Sequence, residues 1–554
     1  MIERFVKRSE FKDYEDFLNN FEVSVPKNFN FGFDVVDFWA KKEPNRIALK
    51  VFDTSKNSID FTFRKIKDLS DNTAGLLQEL GIKKGDYVML MLKNQYQWWV
   101  SMIALHKLGA IAIPAPYSLT NEDIEYRCKE IPIKAVIALG NESIIKAIEK
   151  AKQKCKNLKH LISVGPNIPE NWIDFSRRIK RNYNFIRPAQ LCSNEDIMIV
   201  FFTSGTTGFP KMVAHDFVYP LGHIVTAYWQ NLNKDTVHLA LADTGWGKSV
   251  WGKLYGQWLF GATIFVYDFE YFSPQELLQI LSDFKITSFC APPIFYRLLS
   301  TEEIDKYNLS NLKQCYTAGE KLDNSLILKW KEQTGIEIKE GYGQTESALI
   351  IANFPLLQSK LGSIGKRNPL YKVRIVDEND ELCRPGEYGE IVIDIKKGKP
   401  LGLIKCYIND PLLTNEIYKN GYYHTRDIGY VDQDGYYWFI SRKDDVIKTS
   451  GYRVGPYEVE SACLSYYAVK ECLVTSVEDK IRGQIIKATI VLKEEYKSLA
   501  SDNLKKLIQM HVKKITAPYK CPRIIEFVNH LPQTSPSNNY KTHRKFNNSK
   551  NNDK

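Results

Sequence analysis

Over the first 440 residues, short β-branched runs alternate with stretches of helical periodicity. Lys134–Leu139 (KAVIAL) is followed by an amphipathic stretch to Gln153. Ile197–Phe202 (IMIVFF) precedes a glycine-rich loop and a helical pattern from Asp216. His238–Ala242 (HLALA) leads into a helical stretch to Phe260 and then into Ala262–Tyr267 (ATIFVY). Apolar runs of this length followed by helices predict parallel sheets covered by helices. From about Lys372 the pattern changes to strands, KVRIVD, EIVIDI and YYWFI, separated by turn signals at Glu378-Asn379-Asp380 and Asp434-Gly435. That predicts a smaller β-rich unit.

A third pattern follows Arg442. A helix is predicted over Pro456–Leu464, then strands ECLVTSV and IIKATIVL, a helix over Asp502–Lys514 and a strand RIIEFV. The expected fold class is therefore α/β, a large N-terminal domain of helix-covered sheets with a small β-rich subdomain, followed by a small α+β C-terminal domain. Boundaries are expected at 1–442 and 443–532, with the break at Arg442–Asp445. The last stretch, 533–554, is rich in Asn and poor in apolar residues, and is expected to be a disordered tail.

Composition narrows the functional classes. Hydrophobic residues make up 44% and charged residues 25% of 554, so large cores can form and wholesale disorder is excluded. The net charge is +11, of which the tail from Gln533 supplies a surplus of +4. The rest is a mild balance without basic residues clustered among aromatics, so no nucleic-acid partner is expected. The longest apolar candidate for a span, Trp98–Ala115, is broken by His106 and Lys107, which argues against a transmembrane helix. The ten cysteines form no CxxC pair and no zinc spacing, and read as reduced thiols. The N-terminus has no apolar run and carries Glu3, Glu10, Asp13, Glu15 and Asp16, unlike a signal or transit peptide. A cytoplasmic location is the expectation. The sequence carries no sign of oligomeric state.

The sharpest chemical signal is Thr203-Ser204-Gly205-Thr206-Thr207-Gly208-Phe209-Pro210-Lys211, directly after the IMIVFF run. Its glycines let backbone approach a ligand, its hydroxyls and N–H groups suit phosphate oxygens, and Lys211 adds a positive charge. It is not a Walker A loop, because Gly-x4-Gly-Lys-Ser/Thr is absent. Gln344, Thr345 and Glu346 put an amide, a hydroxyl and a carboxylate in one short loop, and Glu346 is a hard oxygen ligand suited to Mg²⁺.

The nine-residue string resembles the phosphate loop of the adenylate-forming (AMP-binding) synthetases. Further strings resemble that family in the same order, from about residue 35 to 532. Ala318-Gly319-Glu320-Lys321 resembles the adenine-contacting segment. Gly341-Tyr342-Gly343-Gln344-Thr345-Glu346 resembles the segment holding adenine, the α-phosphate and Mg²⁺. Tyr423–Asp427 resembles the segment ending in a ribose-binding Asp, although most members have Gly where this chain has Arg426. In Ser441–Lys448, Arg442 matches a ribose contact and Asp444 the hinge.

The resemblance implies ATP, Mg²⁺ and coenzyme A as cofactors and a small-molecule carboxylic acid as the partner substrate. The acid attacks the α-phosphorus of ATP, with Lys211, Thr345 and Glu346 as the catalytic contacts. A thiol then takes the acyl group while a mobile C-terminal domain swings about the hinge. Ser450-Gly-Tyr-Arg-Val-Gly-Pro resembles medium-chain acyl-CoA synthetases, which implies that Ser450, Gly451 and Tyr452 border the CoA channel and that Arg482 and Lys513 meet CoA phosphates.

Two positions bear on the acyl group. The resemblance implies that Trp246, in Asp243-Thr-Gly-Trp246, lines the acyl pocket. Gly343 stands where acetyl-specific members carry a Trp, which implies acids longer than acetate. One departure is clear: the family's adenylation lysine falls on Asn538 in Leu531-Pro-Gln-Thr-Ser-Pro-Ser-Asn538, so either an impaired first step or a frame disruption of the tail is expected. The main alternatives are an adenylating ligase with a carrier-protein acceptor and a non-catalytic nucleotide-binding relic.

Overall fold

The computed structural model describes residues 1–181, 183–189, 192–203, 210–449, 452–479, 483–516 and 518–531. The chain divides into two compact units, Met1–Val373 with Asp394–Tyr423, and Arg374–Ile393 with the chain from His424 onward. The expected break at Arg442–Asp445 lies inside the second unit.

The first unit holds two large sheets with helices against them. One runs in the order Lys366–Arg367, Leu349–Ala352, Ile338–Gly343, Gln314–Ala318, Ser288–Cys290, Val237–Ala240, Thr263–Tyr267, Ile47–Phe52 and Ser58–Thr62. Its centre is parallel and both ends are antiparallel. The apolar central strands are flanked by helices such as Pro274–Asp283, which sets Leu277, Leu278 and Leu281 among Phe265, Phe289 and Leu239. Ser273 caps that helix by accepting from the Glu276 N–H, and Pro274 fits its first turn.

The second sheet of this unit runs Cys406–Tyr407, Lys211–Asp216, Ile197–Thr203, Ile111–Pro114, Tyr87–Met91, Ile133–Leu139, His160–Val164 and Ile173–Asp174. The amphipathic helix Glu142–Lys152 buries Ile144, Ile145 and Ile148 in the same core as Val136 and Val200. Truncating Ile148 to Ala would cost about 2–5 kcal/mol, the usual range for a fully buried aliphatic side chain. The sequence pattern missed the strand Lys211–Asp216, whose KMVAHD fits neither period cleanly. Antiparallel pairing with Ile197–Thr203 makes it a strand, and the helices expected after Asp216 start later, at Tyr219 and Ile224.

In the second unit the part of the strand Tyr422–Val431 from His424 onward pairs antiparallel with Tyr437–Arg442, with Asp427 opposite Arg442. A further sheet runs Tyr452–Val454, Ile447–Thr449, Gly483–Leu492 and Val469–Asp479, and Ile524–Phe527 adds parallel to Gly483–Leu492. Helices Pro456–Leu464 and Asp502–Ile515 pack on it through Val459, Leu504, Ile508 and Val512. These are the α+β elements the sequence pattern predicts. Among the described residues no helix is long and apolar enough to cross a membrane.

Candidate active site

The phosphate-loop string is anchored at both ends by one hairpin. Thr203, the last residue of Ile197–Thr203, pairs directly with Lys211, the first of Lys211–Asp216. Pro210 is also held, its carbonyl accepting the Tyr126 hydroxyl at 3.0 Å. Residues 204–209 lie outside the described residues, so the roles read for Ser204, Gly205, Thr206, Thr207, Gly208 and Phe209 have no structural description.

The other motif segments of the first unit sit at adjacent strand ends. Ala318 closes the strand Gln314–Ala318, and Gly319 follows at φ 94°, in the left-handed region that glycine adopts without strain. Glu320 is exposed and Lys321 half-buried. Lys248 Nζ donates to the Ala318 carbonyl at 2.6 Å. One strand over, Glu340 accepts the Leu322 N–H at 3.0 Å and so ties the two motif loops together. Burial pushes the Glu340 carboxyl up to about 7. Gly341 is dictated by close packing, since a Cβ there would stand 2.7 Å from the Trp229 indole.

The segment Gln344–Glu346 is pinned residue by residue. Tyr423 donates to Gln344 Oε1 at 2.9 Å, and Ser347 Oγ accepts the Gln344 N–H at 3.1 Å. His215 Nε2 lies 2.7 Å from the Thr345 carbonyl. Burial lowers the His215 pKa to about 3, so the ring is neutral and its Nε2–H is the donor. The Ile404 N–H donates to the Glu346 carbonyl at 2.7 Å, and Tyr407 Oη–H donates to Glu346 Oε1 at 2.8 Å. The Tyr407 ring also lies under Lys211, with Nζ 5.8 Å from the ring centroid. The Lys211 ammonium thus lies over the face of the same tyrosine whose hydroxyl bonds the Glu346 carboxylate. Tyr407 and His215 escape sequence reading, because only strand pairing, Tyr407 opposite Val213 for example, brings them to the loop, and Tyr423 stands in a string read for its closing Asp, not for this contact.

Glu346 fits the role of a Mg²⁺ ligand. It is half-buried, its Oε2 makes no hydrogen bond among the described residues, and a single carboxylate beside substrate phosphates is an ordinary Mg²⁺ environment. Among the described residues there is no cluster of three or more metal-ligating side chains.

Of the two positions expected to bear on the acyl group, Trp246 is half-buried, in a turn where its N–H bonds the Asp243 carbonyl at 3.3 Å and the Trp246 carbonyl accepts from Ser249 Oγ at 2.7 Å. Gly343 faces a different indole: a Cβ there would stand 2.2 Å from Cη2 of Trp251 and 2.8 Å from the Ala348 carbonyl. The space beside Gly343 is therefore filled by Trp251, which is itself 7% exposed and contacts His223 edge-on at 5.7 Å.

The second unit carries the remaining described positions. Asp427 is buried, with Arg442 Nε 3.2 Å from its Oδ1 and its N–H bonded to Thr425 Oγ1 at 3.1 Å. Arg426 has φ 59°, which explains why glycine suits this position in the family. The strained residue is held through its N–H, which donates to Glu390 Oε1 at 2.9 Å. Burial pushes the Glu390 carboxyl up, but His424, with Nδ1 3.4 Å away, and Lys443, whose Nζ donates at 2.9 Å, outweigh it and hold the group down at about 2. Asp444 has its backbone in the turn Lys443–Asp445, and Tyr452 has its backbone in the strand Tyr452–Val454. Lys513 is exposed on Asp502–Ile515. Ser450, Gly451, Arg482 and Asn538 lie outside the described residues.

Comparison with known proteins decides the class. The model for the AMP-binding enzyme matches residues 36–407, and that for the AMP-binding enzyme C-terminal domain matches 458–537. The chain belongs to the AMP-binding enzyme family. It is 38% identical over 532 residues to the human mitochondrial acyl-coenzyme A synthetase ACSM3, covering 95% of this chain and 90% of that protein. It is 37% identical over 528 residues to human mitochondrial ACSM4, covering 93% and 90%. Among solved structures, the anthranilate CoA ligase AuaEII in complex with anthranoyl-AMP superposes with a TM-score of 0.83 at 29% identity, over 92% of this chain and 95% of that one. A Brucella canis acyl-CoA synthetase gives 0.70 at 28%, over 92% of each.

The chain is therefore an adenylate-forming ligase of the acyl-CoA synthetase type, with the α/β and α+β organisation expected. The cytoplasmic expectation is corrected by the same comparison, since these relatives are mitochondrial proteins. Reduced thiols fit either compartment, and they could not distinguish the two.

Proposed function

We propose that this chain activates a carboxylic acid longer than acetate with ATP and transfers the acyl group to coenzyme A. The observation that carries this reading is the approach of Lys211 and Glu346 to a single tyrosine, which gathers a cation and a metal-type carboxylate beside the phosphate loop. In the first step a substrate carboxylate oxygen bonds to the α-phosphorus as the bond to pyrophosphate breaks. The substrate supplies the nucleophile, so the protein needs only to position and to stabilise charge. Lys211 offsets charge on the phosphates, and Glu346 would hold Mg²⁺, which when bound neutralises phosphate charge. His215 and Tyr423 fix the Gln344–Glu346 segment, so that the Thr345 side chain is presented without rearrangement. Asp427 and Arg442 are the proposed ribose contacts.

In the second step the CoA thiol attacks the acyl carbonyl and AMP leaves. Ser450, Gly451, Tyr452, Arg482 and Lys513 are the proposed CoA contacts and Asp444 the proposed hinge. Trp246 and Trp251 are the proposed walls of the acyl pocket, and Trp251 takes the place beside Gly343.

Asn538 in place of the adenylation lysine predicts a selective deficit. The experiment separates the half-reactions: synthetic acyl-AMP plus CoA should give acyl-CoA, while acid plus ATP should give acyl-AMP slowly. Asn538→Lys with Ser537→Gly should raise the first rate by about 10²–10³, the scale of one charge-stabilising contact. Failure to make acyl-CoA from acyl-AMP would refute the assignment. Transfer to a carrier-protein thiol in preference to CoA would move it to the carrier-dependent ligases.

A further inference from the structure

Glu390 opens the EIVIDI run, which reads in the sequence as a strand and nothing more. In the structure it lies on the strand Gly389–Asp394, next in the sheet to Tyr422–Val431, and its carboxylate is buried. It bears on both sides of the pair Asp427–Arg442, whose residues stand opposite each other with Arg442 Nε 3.2 Å from Asp427 Oδ1. On one side, Glu390 Oε1 accepts the N–H of Arg426, the residue before Asp427, at 2.9 Å. On the other, Glu390 Oε2 accepts from Nζ of Lys443, the residue after Arg442, also at 2.9 Å. The next residue of the strand adds a tie of its own. The Ile391 carbonyl accepts from Thr425 Oγ1 at 2.6 Å, and that oxygen accepts the Asp427 N–H at 3.1 Å.

We infer that Glu390 is a positioning residue for the nucleotide ribose: it clamps the two strand ends that carry Asp427 and Arg442, and so holds the Asp427 carboxylate where ribose hydroxyls can donate to it. This deepens the proposed function and rests on its reading of Asp427 and Arg442 as ribose contacts. The turn at Arg426, with φ 59°, is strained for a residue with a side chain, and the bond from its N–H to Glu390 opposes relaxation one residue from Asp427. A buried carboxylate is costly without a counter-charge, so the pair with Lys443 resists breaking although Lys443 is itself half-exposed. Hydrogen bonds to a binding carboxylate have their full effect only when its oxygens are held within about 0.5 Å of the productive place. Loss of the clamp should therefore weaken nucleotides that carry ribose hydroxyls and spare those that lack them.

The test is calorimetry of nucleotide binding to the full chain, with Mg²⁺ and no acid so that no turnover enters, comparing ATP with dideoxy-ATP, which lacks both ribose hydroxyls. The parent should bind ATP at least about tenfold more tightly than dideoxy-ATP, the scale of a hydrogen bond to a charged group. Glu390→Gln keeps the size of the side chain and an acceptor for the Arg426 N–H but drops the charge. It should bind ATP about tenfold more weakly than the parent and dideoxy-ATP within about twofold of it. In the Asp427→Asn background, Glu390→Gln should change ATP affinity by less than about twofold, because the group it positions is gone. Lys443→Met should lose about threefold on ATP alone, and Lys443→Arg, which restores the counter-charge, should stay within about twofold of the parent. If Glu390→Gln does not fold, as judged by circular dichroism, the two Lys443 variants carry the test.

An equal loss on ATP and dideoxy-ATP would mean general damage to the second unit and would overturn the inference, while leaving the ribose contacts in place. Parent-like ATP affinity in both Glu390→Gln and Lys443→Met would overturn it as well. A parent that binds the two nucleotides equally would remove Asp427 from the ribose site and take the inference with it.

Discussion

Trp251 gives the most direct test of the proposed acyl pocket. Its indole fills the space beside Gly343, with Cη2 2.2 Å from where a Cβ would stand, and the residue is 7% exposed. Trp251→Ala should therefore do two things. Losing a buried indole should lower stability by about 3–5 kcal/mol, the range for large aromatics cut to Ala. The space released should accept acyl methylenes, each contributing about 0.8 kcal/mol, or roughly fourfold in affinity. The preferred acid should lengthen by about two to four carbons, and kcat/KM for it relative to the parent's best acid should rise on the order of 10–100-fold. The assay is a competition among straight-chain acids from two to twelve carbons, with ATP and CoA, read by mass spectrometry. Gly343→Ala attacks the same contact from the other side. Its Cβ collides with the indole and with the Ala348 carbonyl at 2.8 Å, which should cost about 1–3 kcal/mol, and less once Trp251 is Ala. A folded Trp251→Ala protein whose acid profile matches the parent's within about twofold would refute the pocket reasoning.

Three further outcomes are expected. Lys211→Ala and Glu346→Gln should each lower acyl-AMP formation by about 10²–10³ with unchanged melting, and a parent-like rate in both would remove these residues from the site. Arg426 sits at φ 59°, so Arg426→Gly should be more stable than Arg426→Ala by about 1 kcal/mol, the reverse of the usual order, in denaturant titration. Equal stabilities would show that the backbone relaxes on substitution. Asp444→Pro should leave acyl-AMP formation near the parent's and slow transfer to CoA, measured as separate half-reactions. Unchanged transfer would place the hinge elsewhere.

Much of the fold is legible because its cores are built from runs whose period is unambiguous. Ile197–Phe202 reads as a buried strand and Asp502–Lys514 as an amphipathic helix without tertiary information, and both form as expected. Lys211–Asp216 does not, because its polarity follows no period and only its neighbour makes it a strand. The site divides the same way. The glycine-rich and Gln-Thr-Glu strings announce themselves through clustered hydroxyls, glycines and charges. The side chains that hold them come from other elements: Tyr407 and His215 carry no local signal, and Tyr423 stands in a string that points to Asp427 and not to this contact. Gly343 shows a further limit: its missing side chain reads as open space until Trp251 is seen to fill it.

The central claim is the overall reaction, and product stoichiometry tests it most directly. With Mg²⁺, ATP, CoA and the acid panel, the account predicts acyl-CoA, AMP and pyrophosphate in equal amounts. It predicts this at a low rate in the parent, and at a higher rate when Asn538→Lys and Ser537→Gly restore the charge. Formation of ADP and phosphate, or no acyl-CoA from any acid even when acyl-AMP is supplied ready-made, would contradict it.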